Sequence, residues 1–282
     1  MSQQPSYWRV FLTFARNSLV RDMTFKSNFI IESISSASWM LMNLGFYLLI
    51  FQYTDEIGHA TGWGQYQFFV FLATTLFVNS IVQTFFMPNC EEISEQIRTG
   101  RLDFALVKPI DTQFLVSLQK VDWSSLVNFA FGLVLLAFSL WKLTHDAQQP
   151  LVLGPLQIVL YPLYVACGVA ILYSLMIALS ATSIWLGRNQ SLYDFWFYIT
   201  NFSRYPMEIY GGNVAGKTLR AAFTFIVPVL VVVNVPARLM AWPLGQQGWL
   251  LIFVGLVATV VSLAGSRWIF VRALESYRSA SS

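Results

Sequence analysis

The stretch Ile158–Trp185, which reads IVLYPLYVACGVAILYSLMIALSATSIW, contains no Asp, Glu, Lys or Arg. About 20 apolar residues in a helix cross a hydrocarbon core of roughly 30 Å, so this stretch is long enough to span a bilayer. Because lipid offers the backbone no hydrogen-bond partner, a spanning segment of this kind must be helical.

The rest of the chain follows the same pattern. Hydrophobic residues make up 56% and charged residues 11% of the 282 residues, which excludes the class of water-soluble domains. The sequence predicts an all-α polytopic membrane protein with six transmembrane helices, forming one membrane domain over residues 1–282. We place the spans at Phe29–Phe51, Tyr66–Met87, Trp123–Leu143, Ile158–Trp185, Leu192–Met207 and Trp249–Val271, with a further apolar stretch at Ala221–Trp242.

The distribution of Lys and Arg predicts the orientation, because cytoplasmic loops carry an excess of these residues. The gap Tyr53–Gln65 contains neither Lys nor Arg, and the gap Lys142–Gln157 contains only Lys142. We therefore expect both termini and the gap after the second span to be cytoplasmic. The basic residues of these three regions are Arg9, Arg16, Arg21, Lys26, Arg98, Arg101, Lys108, Lys120, Arg267, Arg272 and Arg278.

Residues 1–27 contain an amphipathic pattern. Apolar residues recur at helical spacing, which suits a helix lying on the inner leaflet. An amphipathic helix packed on the protein itself is the alternative. The apolar positions are Trp8, Phe11, Leu12, Ala15, Leu19 and Met23.

The gap 88–122 is the largest predicted cytoplasmic loop. Acidic residues early in Glu91–Arg98, an Arg at its end and Gly100 just beyond predict a short exposed helix. In the following run, Arg101–Ile110, apolar side chains alternate with charges, and Pro109 favours extended geometry at Lys108. This composition fits a docking surface, and it equally fits a loop folded back onto its own helices.

The octapeptide Gly211–Thr218 matches the phosphate-binding pattern G-x-x-x-x-G-K-[ST]. A nucleotide site also needs a strand before the motif and an acid that organises Mg²⁺. Pro206 interrupts the region where such a strand would lie. We therefore interpret the glycines as a turn, and Lys217 and Arg220 as flanking a helix at a membrane surface.

Other chemistry is sparse. Cys90 and Cys167 suit neither a disulfide framework nor a metal site. The charged residues of the spans lie near predicted span ends, so no proton or sodium relay is evident. Transport against a gradient would then need energy from a partner. Those charged residues are Glu32, Asp122, Asp194, Arg204 and Arg267.

Several of these features occur together in one family. The N-terminal helix, the loop helix followed by the run Gly100–Ile110, the segment Tyr205–Tyr210, and the prolines Pro228 and Pro236 resemble permease subunits of ATP-binding-cassette type-2 exporters of bacteria. The resemblance covers most of the chain. It implies a multi-pass protein of the bacterial inner membrane with six spans per subunit, two permease subunits, and two separate cytosolic ATPase subunits.

The resemblance also implies functional residues. Glu91–Arg98 would be the coupling helix that docks on the ATPase, and Gly187–Ser191 would be a second contact. No catalytic residue, cofactor or metal is expected on this chain, since ATP and Mg²⁺ would bind the partner subunit. The residues expected in coupling and docking are Glu91, Glu92, Glu95, Arg98, Arg101, Phe104, Lys108 and Pro109.

The fifth span is ambiguous. Counting Arg188, Arg204, Lys217 and Arg220 as cytoplasmic makes Ala221–Trp242 the span and Leu192–Met207 an interfacial helix. The resemblance instead makes Leu192–Met207 the span and residues 212–242 a re-entrant hairpin at the outer face. We favour the second version, although it places Lys217, Arg220 and Arg238 outside.

The leading hypothesis is thus the permease subunit of an ATP-driven exporter. Its partners would be ATPase subunits, a second permease copy or paralogue, and membrane lipid, with no nucleic acid. A secondary transporter or channel, and a membrane scaffold without transport, are the alternatives. The 24 Phe, 10 Trp and 12 Tyr suit an apolar or amphipathic cargo, and they equally suit lipid-facing and interfacial positions.

Overall fold

The computed structural model describes residues 6–58, 61–146, 150–186, 194, 197–198, 200–244 and 249–277. Within these residues the secondary structure is helical, and Glu56 and Gly64 form an isolated β-bridge. The predicted all-α class is confirmed. The helices are α1 (Tyr7–Thr24), α2 (Lys26–Ile50), α3 (Gln65–Phe85), α4 (Met87–Cys90), α5 (Ile93–Arg98), α6 (Arg101–Leu106), α7 (Thr112–Leu118), α8 (Leu126–Thr144), α9 (Pro155–Ala181), α10 (Ser183–Leu186), α11 (Val214–Phe225), α12 (Val229–Ala241) and α13 (Trp249–Ser276).

Five stretches of the described chain are helical, long and apolar enough to cross a membrane: α2, α3, α8, α9 with α10, and α13. They match five of the predicted spans with ends shifted by a few residues. The third span begins at Leu126 instead of Trp123 because the chain turns first. The turn is held by Asp122, which accepts hydrogen bonds from the backbone and hydroxyl of Ser124, at 3.0 and 2.6 Å.

Five of the 16 residues of the predicted span Leu192–Met207 lie outside the described part of the chain. Its end differs from the prediction, because Phe202–Arg204 forms a 3₁₀ helix and Tyr205 is extended, with φ −124° and ψ 148°. Pro206 explains the change, since proline disfavours helical geometry in the residue before it. A second 3₁₀ helix covers Met207–Gly211.

Helices α11 and α12 are joined by a bend of 85°, so Ala221–Trp242 is not one straight helix. The pair counts either as one broken span or as a re-entrant loop. Taken alone, α12 has 13 residues and a length of about 20 Å, which is short of the roughly 30 Å hydrocarbon core.

Helix α12 lies at the centre of the bundle. Every residue of α12 except Arg238 is buried, because the helix packs against α3, α9 and α13. The contact with α9 is backbone to backbone: a Cβ at Gly168 would lie 2.5 Å from the carbonyl oxygen of Val232. Small residues at such crossings let membrane helices approach closely.

Helices at the periphery leave apolar surface uncovered. Only 11% of the most apolar window of α2 is buried, and the corresponding values for α8 and α13 are 22%. Trp39 and Phe46 of α2 are 60% and 59% exposed. In water this surface would aggregate, whereas lipid or another membrane helix covers it without cost.

The helix ends define two faces of the bundle. The loop face carries α1, the segment 86–125 with α4–α7, and α10. The opposite face carries the turn 51–58, residues 150–154 and the 3₁₀ helix Met207–Gly211.

A polar cluster closes the opposite face. The Glu208 carboxylate forms an ion pair with Arg238 and accepts a hydrogen bond from the indole of Trp63 at 2.7 Å. The Trp63 ring is fully buried and packs edge-on against Trp242 at 4.3 Å between centroids. The charge of Arg238, which argued against an outer position for residues 212–242, is therefore paired within the protein.

Candidate functional site

The segment 86–125 on the loop face contains every predicted docking residue except those of the second contact, Gly187–Ser191. The predicted helix Glu91–Arg98 was wrong at its start: Glu91 and Glu92 lie in a turn, and α5 begins at Ile93. Pro88 explains the difference, because proline is favoured in the first turn of a helix and here lies at the start of α4, one turn earlier than expected.

Helix α5 is fixed by its apolar side. Ile93 and Gln96 are buried, while Arg98 is exposed and pairs with Glu95 at 2.6 Å. Hydrogen bonding to Glu95 raises the pKa of Arg98 further above its ordinary value. Surface pairs of this kind contribute little to stability, so the exposed side of α5 is available for contacts.

Glu92 organises the base of the loop. Its carboxylate lies 2.7 Å from the Lys120 ammonium and 3.6 Å from the Arg101 guanidinium. These three residues are distant in sequence, and the ion pairs join the start of the segment to its end.

Asn89 makes a second connection. Its side chain accepts a hydrogen bond from the backbone N–H of Lys120 at 2.7 Å, and donates to the carbonyls of Lys120 and Phe85. The hydroxyls of Ser94 and Ser183 lie 2.8 Å apart, which ties α5 to α10. These bonds connect α4 to the end of α3 and to Lys120, and they connect α5 to α10.

Cys90 lies in the same region and is inert. The thiol is buried, and burial raises its pKa to about 12, so it stays protonated. The Ser180 hydroxyl donates to the Cys90 carbonyl at 3.2 Å, which links α4 to α9. Cys90 therefore acts as an apolar packing residue.

The first part of the run Arg101–Ile110 forms α6, a helix that the sequence pattern did not predict. Gly100 allows the change of direction, with φ +68° in the left-handed region. Leu102 is buried and anchors α6, whereas Phe104 and Val107 are 71% and 81% exposed. Leu106 is 39% exposed, so Phe104, Leu106 and Val107 form an uncovered apolar patch, which we name the apolar tip.

The loop is therefore partly folded back onto its own helices and partly exposed as a possible docking surface, as the two interpretations of its sequence predicted. Ile93 and Leu102 fold back onto the bundle, and the apolar tip projects from it. Lys108 and Pro109 are also exposed beside the tip, as is Arg101 at the start of α6. An apolar patch bordered by charges on a firmly held loop is typical of a protein contact surface.

The end of the segment is attached to the last span. Asp111 caps α7 by accepting from the Phe114 N–H at 3.0 Å, and it pairs with Arg267 of α13 at 2.6 Å. Burial alone would raise the pKa of Asp111, but the hydrogen bonds from Arg267 and the Phe114 N–H lower it overall. Arg267 also donates to Gln113, whose amide donates to the Tyr173 hydroxyl of α9.

Glu91 differs from the other predicted docking residues, because it lines a separate cavity with Asp122 and Arg21. The predicted second contact, Gly187–Ser191, lies outside the described residues. The sequence analysis did not predict that Asn89, Lys120, Asp111 and Arg267 hold the loop in place. Asp111 could have been predicted as a helix cap, because Asp is favoured directly before the first residue of a helix.

Helix α1 packs beneath the loop. The Val121 N–H donates to the Ser18 hydroxyl at 3.1 Å, and the Trp123 indole donates to the Ala15 carbonyl at 3.2 Å. The face with Trp8, Leu12, Leu19 and Met23 remains exposed, beside Arg9 and Arg16. One face of α1 thus packs on protein while an apolar face with basic neighbours stays uncovered.

The phosphate-loop match has a structural explanation. It follows a 3₁₀ helix instead of a strand, and the Asn213 side chain caps α11 by accepting from the Gly216 N–H at 2.7 Å. A Cβ at Gly216 would lie 2.5 Å from the Tyr210 carbonyl oxygen. Glycine is therefore required there by packing, and the motif forms a helix start.

A comparison with protein families decides the class of protein. Residues 37–281 match the model described as ABC-2 family transporter protein. The chain is a member of the ABC-2 transporter family. Comparisons with curated proteins and with solved structures gave no match.

Membership confirms the resemblance found in the sequence. This ABC-2 transporter protein is a multi-pass membrane protein, and the family implies the role of a permease. Family members of this kind generally work with ABC ATPase subunits, so the family suggests a non-catalytic membrane subunit.

Proposed function

We propose that the chain is the membrane subunit of an ATP-driven exporter, which forms the translocation path as a dimer and docks on separate cytosolic ATPase subunits. The apolar tip carries this proposal, because Phe104 and Val107 are large, exposed and held on a loop with fixed contacts. ATP and Mg²⁺ would bind the ATPase partner, and this chain would carry neither cofactor nor catalytic residue.

The contacts of the loop support a coupling role. The segment 86–125 is bonded to α3 through Asn89 of α4, to α10 through Ser94 of α5, and to α13 through the pair Asp111–Arg267. A rigid element seated on a moving ATPase would shift these helices together, which is the usual way that a local motion is passed to a bundle. Glu95, Arg98, Arg101 and Lys108 would supply charged contacts around the tip.

The charge pattern supports a bacterial inner-membrane protein with the loop face and both termini in the cytoplasm. The described residues of the predicted basic clusters, in α1, in the segment 86–125 and at Arg267 and Arg272 of α13, lie at the loop face. The uncovered apolar face of α1 suits a helix at the inner leaflet, with Arg9 and Arg16 near anionic headgroups.

Contacts at the opposite face support the re-entrant version of residues 212–242. Glu208, which precedes α11, pairs with Arg238 near the end of α12. The buried Gln157 side chain at the start of α9 donates to the carbonyls of Leu239 and Trp242. Both ends of the hairpin thus meet at one face, as a re-entrant element requires, while α12 finds its partners in protein.

The test is purification of the tagged chain from its native membrane in mild detergent, with identification of the proteins that co-purify. We expect a stoichiometric ABC ATPase with the wild-type chain. The double variant F104A/V107A should retain less than about a tenth of it, because truncating central apolar anchors of an interface typically costs 2 kcal/mol or more. Acid variants are less suitable, since Glu92 holds Lys120 and Arg101 inside the loop.

The matched control is F225A/I226A. These two apolar side chains are 67% and 79% exposed at the end of α11, away from the loop, and their removal should leave the ATPase bound. A wild-type preparation without any ATPase would contradict the proposal and favour a secondary transporter, a channel or a scaffold. If F104A/V107A still co-purified with the ATPase, the docking surface would have to lie outside the apolar tip.

A further inference from the structure

A cavity of about 720 Å³ opens on the loop-face half of the bundle. It lies between the first half of α2, the end of α3 with α4, and the turn before α8. Its volume is within the range of roughly 300–1,000 Å³ found for sites that bind small molecules. Of the predicted docking residues that the structure describes, Glu91 lines this cavity and the others do not.

The wall formed by α2 is unusually polar for a candidate span. Asn28, Glu32, Ser35 and Ser36 recur at helical spacing and face the cavity together. Glu32 is six residues into α2, about 9 Å along the helix axis. Ionisable and hydroxyl side chains inside a span are costly against lipid, and they normally line a water-filled or ligand-filled space.

Several polar groups on the lining have no protein partner. Among the described residues, the side chains of Glu32, Gln83 and Glu91 make no hydrogen bond or ion pair. By contrast, Asp122 accepts from Ser124 and Ser125, and Asp22 pairs with Arg21 at 3.2 Å. Two carboxylates, one from α2 and one from the turn before α5, therefore line the cavity without an ion-pair partner.

The charges of the lining residues indicate the sign of the charge that a ligand would carry. Of the described residues on the wall, four are acidic, Asp22, Glu32, Glu91 and Asp122, and Arg21 is the one cation, already paired with Asp22. An anionic group would be repelled by this lining, and a cation would be stabilised by charge-assisted contacts.

The apolar residues in and beside the cavity favour an amphipathic ligand over a simple ion. Phe25, Phe29 and Met87 line the cavity beside the acids. Along the same face of α2, beyond Ser36, the next exposed side chains include Trp39 and Phe46. A molecule with a cationic head in the cavity and a hydrocarbon chain along α2 would therefore match both parts of the surface.

We propose that this cavity binds the cationic headgroup of an amphipathic molecule that enters from the lipid leaflet at the loop face. That this molecule is the exported cargo rests on the proposed permease function; the binding itself does not.

The test measures binding to the purified full chain in an uncharged sugar detergent, without ATPase. The probe is a hexadecyl-dimethylammonium nitroxide, whose electron paramagnetic resonance spectrum reports the immobilised fraction after subtraction of empty micelles. We expect saturable binding of this probe, and no saturable binding of hexadecyl phosphate nitroxide. E32Q should weaken binding about tenfold, as expected for the loss of one unit charge beside a bound cation in a partly solvated site.

The matched control is E275Q. Glu275 lies at the same face but pairs with Arg272 on the exposed surface of α13, so its neutralisation should leave binding unchanged. If E32Q fails to elute as a single species, E91Q replaces it, since both acids line the same cavity. Equal binding by wild-type and the acid variant would overturn the proposal, as would equal binding of the anionic probe or of tetramethylammonium without a chain.

The outcome is separate from that of the proposed function. E32Q leaves the apolar tip unchanged, so it should co-purify with the ATPase as the wild-type chain does. Loss of probe binding with retained ATPase would support both proposals, and probe binding in a chain without any ATPase would support the cavity alone.

Discussion

Asp111 joins two elements through one carboxylate, since it caps α7 and pairs with Arg267 of α13. We expect D111N to lower the thermal unfolding midpoint of the detergent-purified chain by a few degrees, because the cap and the ion pair both weaken. D55N is the control, because the Asp55 side chain makes no hydrogen bond or ion pair with other described residues.

The same residue predicts a pH dependence. The pKa of Asp111 is lowered in the folded chain, so its contribution to stability is present above the unfolded pKa of about 3.9 and is lost as the pH falls through the lower folded value. The difference in midpoint between wild-type and D111N should therefore shrink below about pH 4. A constant difference at all pH values would contradict this assignment.

Gly216 tests the meaning of the phosphate-loop match. G216A should lower the free energy of unfolding by about 1–3 kcal/mol, because the new Cβ would clash with the Tyr210 carbonyl. G212A is a close control, since no atom lies within 4 Å of a Cβ placed there. K217A should change neither stability nor the binding of a fluorescent ATP analogue, which we expect to be at background in the wild-type chain.

At the scale of elements, α9 and α12 cross closely at Gly168. G168A should move α12 away from α9 and lower the thermal midpoint, because its Cβ would lie 2.5 Å from the Val232 oxygen. G265A provides the comparison, since Gly265 in α13 has open space around it and alanine favours a helix. A midpoint unchanged in G168A would show that the two helices are free to separate.

The long spans could be predicted from the sequence because the length of an apolar run decides whether a helix crosses a bilayer. The exposure of Phe104 could also be predicted, since apolar and charged side chains alternate around it in the sequence. The short helices α4 and α6 were not, because helices of this length depend on tertiary contacts such as the burial of Leu102. The ion pair between Glu208 and Arg238 joins residues that are far apart in the chain, so no local sequence pattern predicts it.

At the scale of the whole molecule, the orientation is open to direct measurement. Val107 of the apolar tip and Val152 near the start of α9 are 81% and 76% exposed at the two opposite faces. A membrane-impermeant maleimide should label V107C in inverted vesicles and V152C in right-side-out vesicles. Cys90 is buried, and the unmodified chain serves as the background control for it and for Cys167.

The enclosure of α12 has a consequence for how the chain is made. A helix of 13 residues is too short to stay across the bilayer alone, and its partners α3, α9 and α13 cover it on nearly every side. Since α13 follows it in the chain, the final partner is synthesised after α12 has left the ribosome. Its contacts with α3 and α9 are therefore available before α13 is made, and the core around the central helix is completed only when the last span is inserted.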